Sequence, residues 1–369
     1  MSKVILPYCE PMYLTYNYLS VIGVPAKQNN TSDIWYYNNT VQWSCMRKFL
    51  HGYTSPLINL RIGEIKEYPF LYQSVVNYRF TEKNISDIIK RMIDSGFYVA
   101  FSGVDDYYVK GKSWYKEKHF NHDGLIIGYN EKNEGNKENK NKAENSENKI
   151  ENSVNKAGKT ENCEEDTFFI ASYNNRWIFT VFETPQKCFF EGMKACIKNG
   201  EYGCIEALKA NNKKISLDLK FIRETVEDYI FSKSFDYSFN KSDAVLGIAV
   251  YDFICMYFDK LLDGSIPYER KDRRILRLIW EHKKCMQKRI EYCENYCGWD
   301  NSLSEEYKKI VALADKARFI YSKFVLKYSA LDIEKIQQLL MLIKQKEFKL
   351  LKKFDKKLAS VTSPIDRSP

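Results

Sequence analysis

Histidine is scarce in this sequence, which has only four histidines among 369 residues. Long apolar runs are missing as well: no window approaches the roughly 18 uncharged apolar residues of a membrane-spanning helix, so no membrane partner is expected. The start of the sequence lacks the basic head, apolar middle and small-residue cleavage site of a secretory signal, which predicts a cytoplasmic location. No zinc-finger, helix-turn-helix or RNA-reading motif is visible, which argues against a nucleic-acid partner.

Cysteine is more abundant, with ten residues scattered along the chain. In a cytosolic protein these thiols are expected to stay reduced, and most of them should be small buried hydrophobic residues. Cys293 and Cys297 form the only close pair with metal-like spacing, and no second pair accompanies them. The sequence therefore predicts neither a metal site nor a bound cofactor.

The net charge of +9 is distributed unevenly. Residues 186–369 hold 35 Lys and Arg against 26 Asp and Glu, whereas residues 1–185 hold 22 of each kind. One interpretation is a solvated surface of long helices, and the other is a docking surface for an acidic partner or substrate. Composition alone leaves both interpretations open.

A low-complexity segment interrupts the first half of the chain. Residues 131–166 contain no aromatic side chain and are dominated by Asn, Glu and Lys, a composition that cannot bury enough apolar surface to order itself. Strand-like runs flank it, GLIIGYN before and TFFIASYNNRWIFTVFE after. We therefore expect a disordered insertion in the turn of a β-hairpin rather than a domain boundary.

The remainder of the first half predicts a helix followed by a sheet. Residues 9–23 have helical periodicity, with Pro11 in the first turn and Gly23 at the end. Residues 84–96 predict a second helix, and residues 97–109 predict a strand. The fold class expected for this half is α+β with an antiparallel sheet.

The pattern changes after Pro185, where long helical periodicities dominate. We expect a domain at 1–185 that contains the insertion, an all-helical domain at 186–358 and a flexible tail at 359–369. Five segments carry the helical pattern: 215–232, 243–262, 272–296, 302–329 and 332–354.

Two of the histidines, His119 and His122, precede the strand GLIIGYN. An imidazole at the start of a strand can act as a general base if a nucleophile approaches it. Cys9 is the candidate nucleophile, because the free N–H groups at the expected helix N-terminus would lower its pKa and hold an oxyanion. Polar side chains of the following strand-like run are available to orient the imidazole: Ser172, Asn174 and Asn175. We expect His119 to support the site rather than to transfer protons.

At these residues the sequence resembles a papain-fold family of acyltransferases of the butirosin-biosynthesis type, which is related in fold to the family-C39 bacteriocin-processing peptidases. The matching segments are YCEPMYLTYNYLSVIG, VDDYYV, KHFNHDGLIIGYNE and FFIAS, and RRILRLIWEHKKCMQKRIEY resembles the helical part of the same group. The resemblance implies a papain-like, C39-like first half and covers most of the chain.

Carried over residue by residue, the resemblance makes Cys9 the nucleophile, His122 the base and Asp105 the acid of the VDDYY run. The family strand after the insertion ends in an Asp, whereas this chain has Ser172 followed by Tyr173 and Asn174. The group that orients His122 therefore stays open between Asn174, Ser172 and Asp105.

The function that the resemblance implies is a transglutaminase-like acyl transfer that forms an amide bond. An acyl group would pass from the phosphopantetheine thioester of an acidic acyl or peptidyl carrier protein, through acyl-Cys9, to a small-molecule amine, in nonribosomal antibiotic biosynthesis. Two alternatives remain: a papain-like cysteine peptidase with the same Cys–His pair, and a non-catalytic scaffold that binds carrier proteins.

Overall fold

The computed structural model describes residues 2–51, 57–61, 68–76, 82–131, 165–200, 204–233 and 244–362. The chain divides into two compact units. The first unit comprises residues 1–11, 17–28 and 71–211, and the second comprises residues 12–16, 29–70 and 212–369. The predicted disordered insertion at 131–166 lies almost wholly outside the described residues.

Ten strands are assigned within the described ranges. In chain order they are β1 Ser2–Ile5, β2 Gln42–Met46, β3 Ile58–Arg61, β4 Leu71–Val76, β5 Tyr98–Asp105, β6 Asn121–Glu131, β7 Thr167–Tyr173, β8 Phe179–Pro185, β9 Cys204–Ala210 and β10 Ala244–Leu246.

Nine α-helices are assigned in the same ranges. In chain order they are α1 Asn17–Ala26, α2 Ser32–Asn39, α3 Glu82–Asp94, α4 Gln186–Lys198, α5 Leu219–Ile230, α6 Val250–Leu262, α7 Ile275–Cys297, α8 Ser302–Leu326 and α9 Ala330–Thr362.

The first unit is built on an antiparallel sheet in the order β4-β9-β5-β6-β7-β8, with β1 paired to β6. The strands on either side of the low-complexity segment pair with each other, and Asn130 lies opposite Thr167. The antiparallel sheet and the β6–β7 pairing predicted from the flanking runs are therefore confirmed.

The core of the first unit joins helices α3 and α4 to this sheet. Ile89 and Ile93 of α3 and Phe189 of α4 are completely buried with the strand residues Phe101 and Phe168. Each such side chain stabilises the fold by about 1.5–3 kcal/mol on burial. Gly96, with φ of +79°, follows α3 as the predicted helix stop, a backbone conformation that suits glycine.

The boundary between the units differs from the one predicted at Pro185. Helix α4 and strand β9 follow that residue, yet both belong to the first unit because β9 pairs with β4 and β5. Residues 29–70 belong to the second unit, where β2 pairs with β10. Both pairings join segments more than a hundred residues apart, and local periodicity does not report them.

The first helix also differs from its prediction. Helix α1 begins at Asn17 rather than at Cys9, and it continues beyond Gly23 to Ala26. The physical reason lies at Thr15, whose N–H and hydroxyl both donate to the carboxylate of Glu281 at 3.0 and 2.7 Å. A backbone N–H held by that carboxylate does not enter a helical ladder, so residues 12–16 belong to the second unit.

The long helices predicted for the second half are confirmed as α5, α7, α8 and α9. The segment 243–262 is only partly helical: Ala244–Leu246 forms β10, which pairs antiparallel with β2, and α6 begins at Val250. Helix α9 extends to Thr362, into the predicted tail, and residues 363–369 lie outside the described part of the chain.

A buried ion pair lies at the centre of the second unit. Lys283 of α7 and Glu347 of α9 approach to 2.7 Å, and both side chains are completely buried. Three phenol hydroxyls from α5, α6 and α8 donate to the same carboxylate; they belong to Tyr229, Tyr251 and Tyr307. Burial lowers the pKa of Lys283 to about 8, against the attraction of Glu347.

The remaining polar core of this unit includes His282 of α7. Its ring is completely buried, stacks on Trp43 at 4.4 Å and bonds the carbonyl oxygen of Val41 at 2.8 Å. His282 is therefore a satisfied core residue. Among the helices of the described ranges, none has the length and apolarity needed to cross a membrane.

Candidate active site

The candidate active site lies where β5 ends and β6 begins. Antiparallel pairing places Val104 opposite His122 and Asp105 opposite Asn121, after a bulge in β5. The loop of residues 106–120 joins the two strands, and its ends meet where Asp106 N–H donates to the carbonyl oxygen of Phe120 at 2.9 Å. The two adjacent aspartates and both histidines of the HFNH segment are thus brought to one end of the sheet.

Asp106 holds the imidazole of His122. Its Oδ2 lies 3.0 Å from His122 Nδ1, and the carboxylate is only 4% exposed whereas the imidazole is 19% exposed. The other ring nitrogen, Nε2, makes no hydrogen bond with any described residue. A carboxylate that fixes one nitrogen and leaves the other available is the arrangement of a catalytic general base.

Lys112 completes this cluster from the loop. Its Nζ is 2.8 Å from Ser172 Oγ, 3.2 Å from His122 Nδ1 and 3.3 Å from Asp106 Oδ1. The side chain is almost fully buried, and this desolvation lowers the pKa of Lys112 despite the nearby charges of Asp106 and Asp123. A buried amine therefore contacts the same ring nitrogen as the carboxylate.

The position of Lys112 is fixed by bonds on both sides of it. Gly111 accepts a hydrogen bond at its carbonyl oxygen from Asn175 N–H, and Ser113 donates its hydroxyl to the carbonyl oxygen of Asn174, both at 2.8 Å. Gly111 adopts φ of +100°, and a Cβ there would lie 2.6 Å from the ring of Phe182. The β7–β8 turn thus anchors the loop and directs Lys112 inward.

The backbone that follows His122 is held from two other elements. The carbonyl oxygen of Asp123 accepts from the side-chain amide of Asn17, the first residue of α1, and from Ser172 Oγ of β7 at 3.2 Å. Burial also raises the pKa of the Asp123 carboxyl group. These bonds fix the main chain at His122, so its ring orientation depends mainly on Asp106 and Lys112.

A second Asp–His pair lies beside the first. Asp105 Oδ2 is 2.6 Å from His119 Nδ1, and its Oδ1 accepts the backbone N–H groups of Tyr107 and Phe120 at 3.1 and 3.0 Å. The His119 ring stacks on Tyr107 at 4.3 Å and is 65% exposed. This pair also presents a held imidazole, so His119 is a second candidate base by geometry.

Two of the predicted orienting groups are engaged elsewhere. Asn174 Oδ1 accepts the backbone N–H groups of Arg176 and Ile178, at 2.9 and 3.1 Å, and so caps the β7–β8 turn. The carboxylate of Asp105 bonds His119 rather than His122. The prediction that either residue orients His122 is wrong in this geometry, and Ser172 reaches the ring only through Lys112.

Cys9 lies in the segment between β1 and α1 and is exposed. No hydrogen bond joins its thiol to His122. Because α1 begins at Asn17, the predicted helix-terminus effect on the thiol does not apply. The neighbouring backbone is anchored by Tyr98, whose hydroxyl donates to the carbonyl oxygen of Pro7 at 2.6 Å. Burial, and to a lesser extent the charge of nearby Cys9, raises the pKa of Tyr98.

Sequence reasoning missed Asp106 and Lys112. The signal for Asp106 was the DD pair that ends an apolar strand, since alternation directs adjacent side chains to opposite faces. Choosing the correct aspartate required the bulge that shifts the register of β5 against β6. Lys112 stands among the lysines of VKGKSWYKEK, and nothing local distinguishes a buried one.

An exposed rim of aromatic and basic side chains surrounds this end of the sheet. The Phe120 ring lies 5.4 Å from the imidazole of His122 and is 44% exposed. Trp114 of the loop packs edge-to-face on Trp177 of the β7–β8 turn at 5.7 Å, and Lys118 Nζ lies 5.4 Å above the Trp114 ring. An apolar group flanked by negative charge would fit this rim.

Within the described ranges, no three His, Cys, Asp or Glu side chains are grouped as metal ligands would be. No protein-family model matches the chain, and no curated protein matches it either.

Proposed function

We propose that this protein is a cysteine-dependent acyltransferase that forms an amide bond, with a papain-like arrangement of its first unit. The observation that supports this most directly is the imidazole of His122, held at Nδ1 by the buried Asp106 and without a hydrogen bond at Nε2 to any residue in the described ranges. The exposed Cys9, in the segment between β1 and α1, is the proposed nucleophile.

In the acylation step, His122 Nε2 takes the thiol proton of Cys9 while the sulfur attacks the carbonyl carbon of a thioester. The new carbon–sulfur bond forms, the tetrahedral oxyanion collapses and the bond to the carrier thiol breaks. The departing thiolate then recovers the proton from the imidazolium. The step requires Cys9 to approach Nε2 when the donor binds.

In the transfer step, an amine nitrogen attacks the acyl carbon of acyl-Cys9, and His122 Nε2 takes the proton that the nitrogen loses. The carbon–sulfur bond to Cys9 then breaks, and the Cys9 thiolate receives that proton. Amine must compete with water, and the Phe120 ring, 5.4 Å from the imidazole of His122, is the apolar surface that favours transfer over hydrolysis.

Intact-protein mass spectrometry with an acyl-pantetheine thioester tests the proposal. The expected result is one acyl adduct on the peptide that carries Cys9, absent from Cys9→Ala and discharged by added amines to give amides. Cys297→Ala is the matched control, because Cys297 is a partly exposed cysteine of the second unit and should leave the adduct unchanged.

The other outcomes separate the alternatives. An adduct that persists in Cys9→Ala would remove that residue as the nucleophile. Cleavage of peptide substrates without amide formation would identify a peptidase of the same fold. A protein that binds the carrier but never carries an acyl group, with Cys9→Ala fully functional, would be a non-catalytic scaffold.

The proposed donor is the phosphopantetheine thioester of an acidic carrier protein, and the rim around the site is the proposed contact. Lys116, Lys118 and Arg176 are exposed there, with Glu117 as the acidic residue among them. Reversing a rim charge mainly slows association and changes its salt dependence. The positive excess of residues 186–369 offers the competing contact surface.

Charge reversal distinguishes the two surfaces. Lys118→Glu and Arg176→Glu together should raise KM for the carrier-bound donor by about tenfold and leave KM for the small acyl-pantetheine unchanged. Lys346→Glu, on the exposed side of α9, is the control in the helical half. If Lys346→Glu raises the carrier KM and the rim variant does not, docking takes place on the helices.

A further inference from the structure

His122 Nδ1 has two neighbours that require opposite hydrogen positions on the imidazole. Two groups approach this single nitrogen: Asp106 Oδ2 at 3.0 Å, which can only accept a hydrogen while ionised, and Lys112 Nζ at 3.2 Å. A neutral imidazole carries one hydrogen, on Nδ1 or on Nε2. If Nδ1 is protonated it donates to Asp106, and if it is bare it accepts from Lys112. The presence or absence of a hydrogen on Nδ1 therefore determines whether Nε2 is an acceptor or a donor.

Counting the hydrogens of Lys112 favours a bare Nδ1 that accepts from the amine. Ser172 Oγ donates its own hydrogen to the carbonyl oxygen of Asp123, so it can only accept from Lys112. Asp106 Oδ1, at 3.3 Å, also can only accept. An ammonium group has three hydrogens, and its three partners are Ser172 Oγ, Asp106 Oδ1 and His122 Nδ1. The charged amine is therefore fully satisfied only when His122 Nδ1 is bare.

We propose that Lys112 is a positioning residue that sets the tautomer of His122: the charged amine bonds bare Nδ1 and keeps the imidazole hydrogen on Nε2. Loss of one proton from Lys112 and His122 taken together reverses the tautomer of His122. Lys112 then keeps two hydrogens, Nδ1 carries one that it donates to Asp106 Oδ2, and Nε2 becomes an acceptor. Asp106 Oδ1 accepts from Lys112 in both states, whereas Asp106 Oδ2 accepts from Nδ1 only in the second state and faces a bare nitrogen in the first.

The groups that face Lys112 set the pH at which this exchange takes place. They are Asp106 from the loop, His122 and Asp123 from β6, and the neutral Ser172 from β7. Burial lowers the pKa of Lys112 from its ordinary value of 10.5, so the amine loses its proton at lower pH than an exposed lysine would. The tautomer is thus coupled to pH through a residue that does not itself meet the substrate.

For catalysis, the inference rests on the proposed function: a base that takes the Cys9 proton needs a bare Nε2, so acyl transfer should accelerate as the pH rises and Lys112 loses its proton. The tautomer itself does not depend on activity and can be observed without any substrate. Nitrogen-15 NMR of the imidazole rings distinguishes protonated from bare nitrogens, and the protein has only four histidines. The absence of one set of signals in His122→Gln assigns the ring.

The expected spectrum of the native protein at pH 7 shows His122 with hydrogen on Nε2, converting to hydrogen on Nδ1 as the pH rises. Lys112→Met keeps the length of the side chain but not the amine. In this variant His122 should carry its hydrogen on Nδ1 at pH 7 and also at the higher pH. Lys198→Met removes an exposed lysine of α4 and should match the native spectrum.

A native protein with hydrogen on Nδ1 at pH 7 would overturn the inference, and this measurement needs no folded variant. An unchanged tautomer in folded Lys112→Met would overturn it as well. Loss of acyl transfer with the expected tautomers present would instead count against the proposed function alone, so the two failures are distinguishable.

Discussion

At the scale of single residues, the site depends on two adjacent carboxylates with different partners. Asp105 bonds His119, and Asp106 bonds His122. Each carboxylate is nearly buried, and each fixes one nitrogen of its imidazole. The pair therefore provides a matched comparison in which the same substitution is made at neighbouring positions.

Asp106→Asn should lower the rate of acyl-enzyme formation by about 100-fold or more, because the amide no longer stabilises an imidazolium at His122. Asp105→Asn should leave most of that rate, since the remaining amide oxygen can still accept the N–H groups of Tyr107 and Phe120 and the carboxylate that is lost pairs with His119 rather than His122. Rapid-quench measurement of the acyl adduct in both variants checks this. A larger loss in Asp105→Asn would show that His119 is the base.

At the scale of elements, helix α4 sets the position of the strand end that carries the two aspartates. Gly192 packs directly on that end: a Cβ there would lie 2.9 Å from the carbonyl oxygen of Asp105 and 2.9 Å from Cγ1 of Val104. A backbone oxygen cannot move aside as the end of a flexible side chain can. Close contact between α4 and β5 therefore requires glycine at this position.

Gly192→Ala should reduce the free energy of unfolding by about 1–3 kcal/mol, because the added methyl group forces the helix and strand apart. Chemical denaturation measures the loss, and the acylation rate should fall with it as β5 shifts. Lys198→Ala, an exposed residue of the same helix, is the control. Equal stability of Gly192→Ala and the native protein would contradict the packing argument.

At the scale of the whole molecule, the two units rely on different kinds of core. The first unit buries an apolar cluster between its sheet and helices α3 and α4. The second unit also buries the Lys283–Glu347 pair, with three phenol hydroxyls on the same carboxylate. Breaking a buried pair costs much more than breaking an exposed one, because one charge is left without a partner.

Lys283→Met should lower the free energy of unfolding by about 3–5 kcal/mol, as expected when a buried charge loses its partner. Adding Glu347→Leu should not restore stability, since the hydroxyls of three tyrosines would then lack their acceptor. Lys308→Met, which breaks the exposed pair with Glu305, should leave the free energy of unfolding nearly unchanged. Urea unfolding of each variant tests the set, and a double variant as stable as the native protein would contradict it.

The sequence alone predicted the elements whose apolar pattern is local. The long helices α7, α8 and α9 followed from their periodicity, and the β6–β7 pairing followed from the two apolar runs that flank the low-complexity segment. It also proposed His122 as the base, by its position before an apolar run, and that role stays a prediction. Periodicity suffices for such elements because their side chains alternate between core and solvent at fixed intervals.

Only the tertiary structure decided the unit boundaries and the partners within the site. Strands β9 and β10 and the start of α1 depend on bonds to residues far away in the chain, such as Thr15 with Glu281. The assignment of Asp106 rather than Asp105 to His122, and the burial of Lys112, depend on a strand bulge and on an anchored loop. Hydrogen bonds and ion pairs act over a few ångströms in space, and the distance between two residues along the chain does not determine that separation.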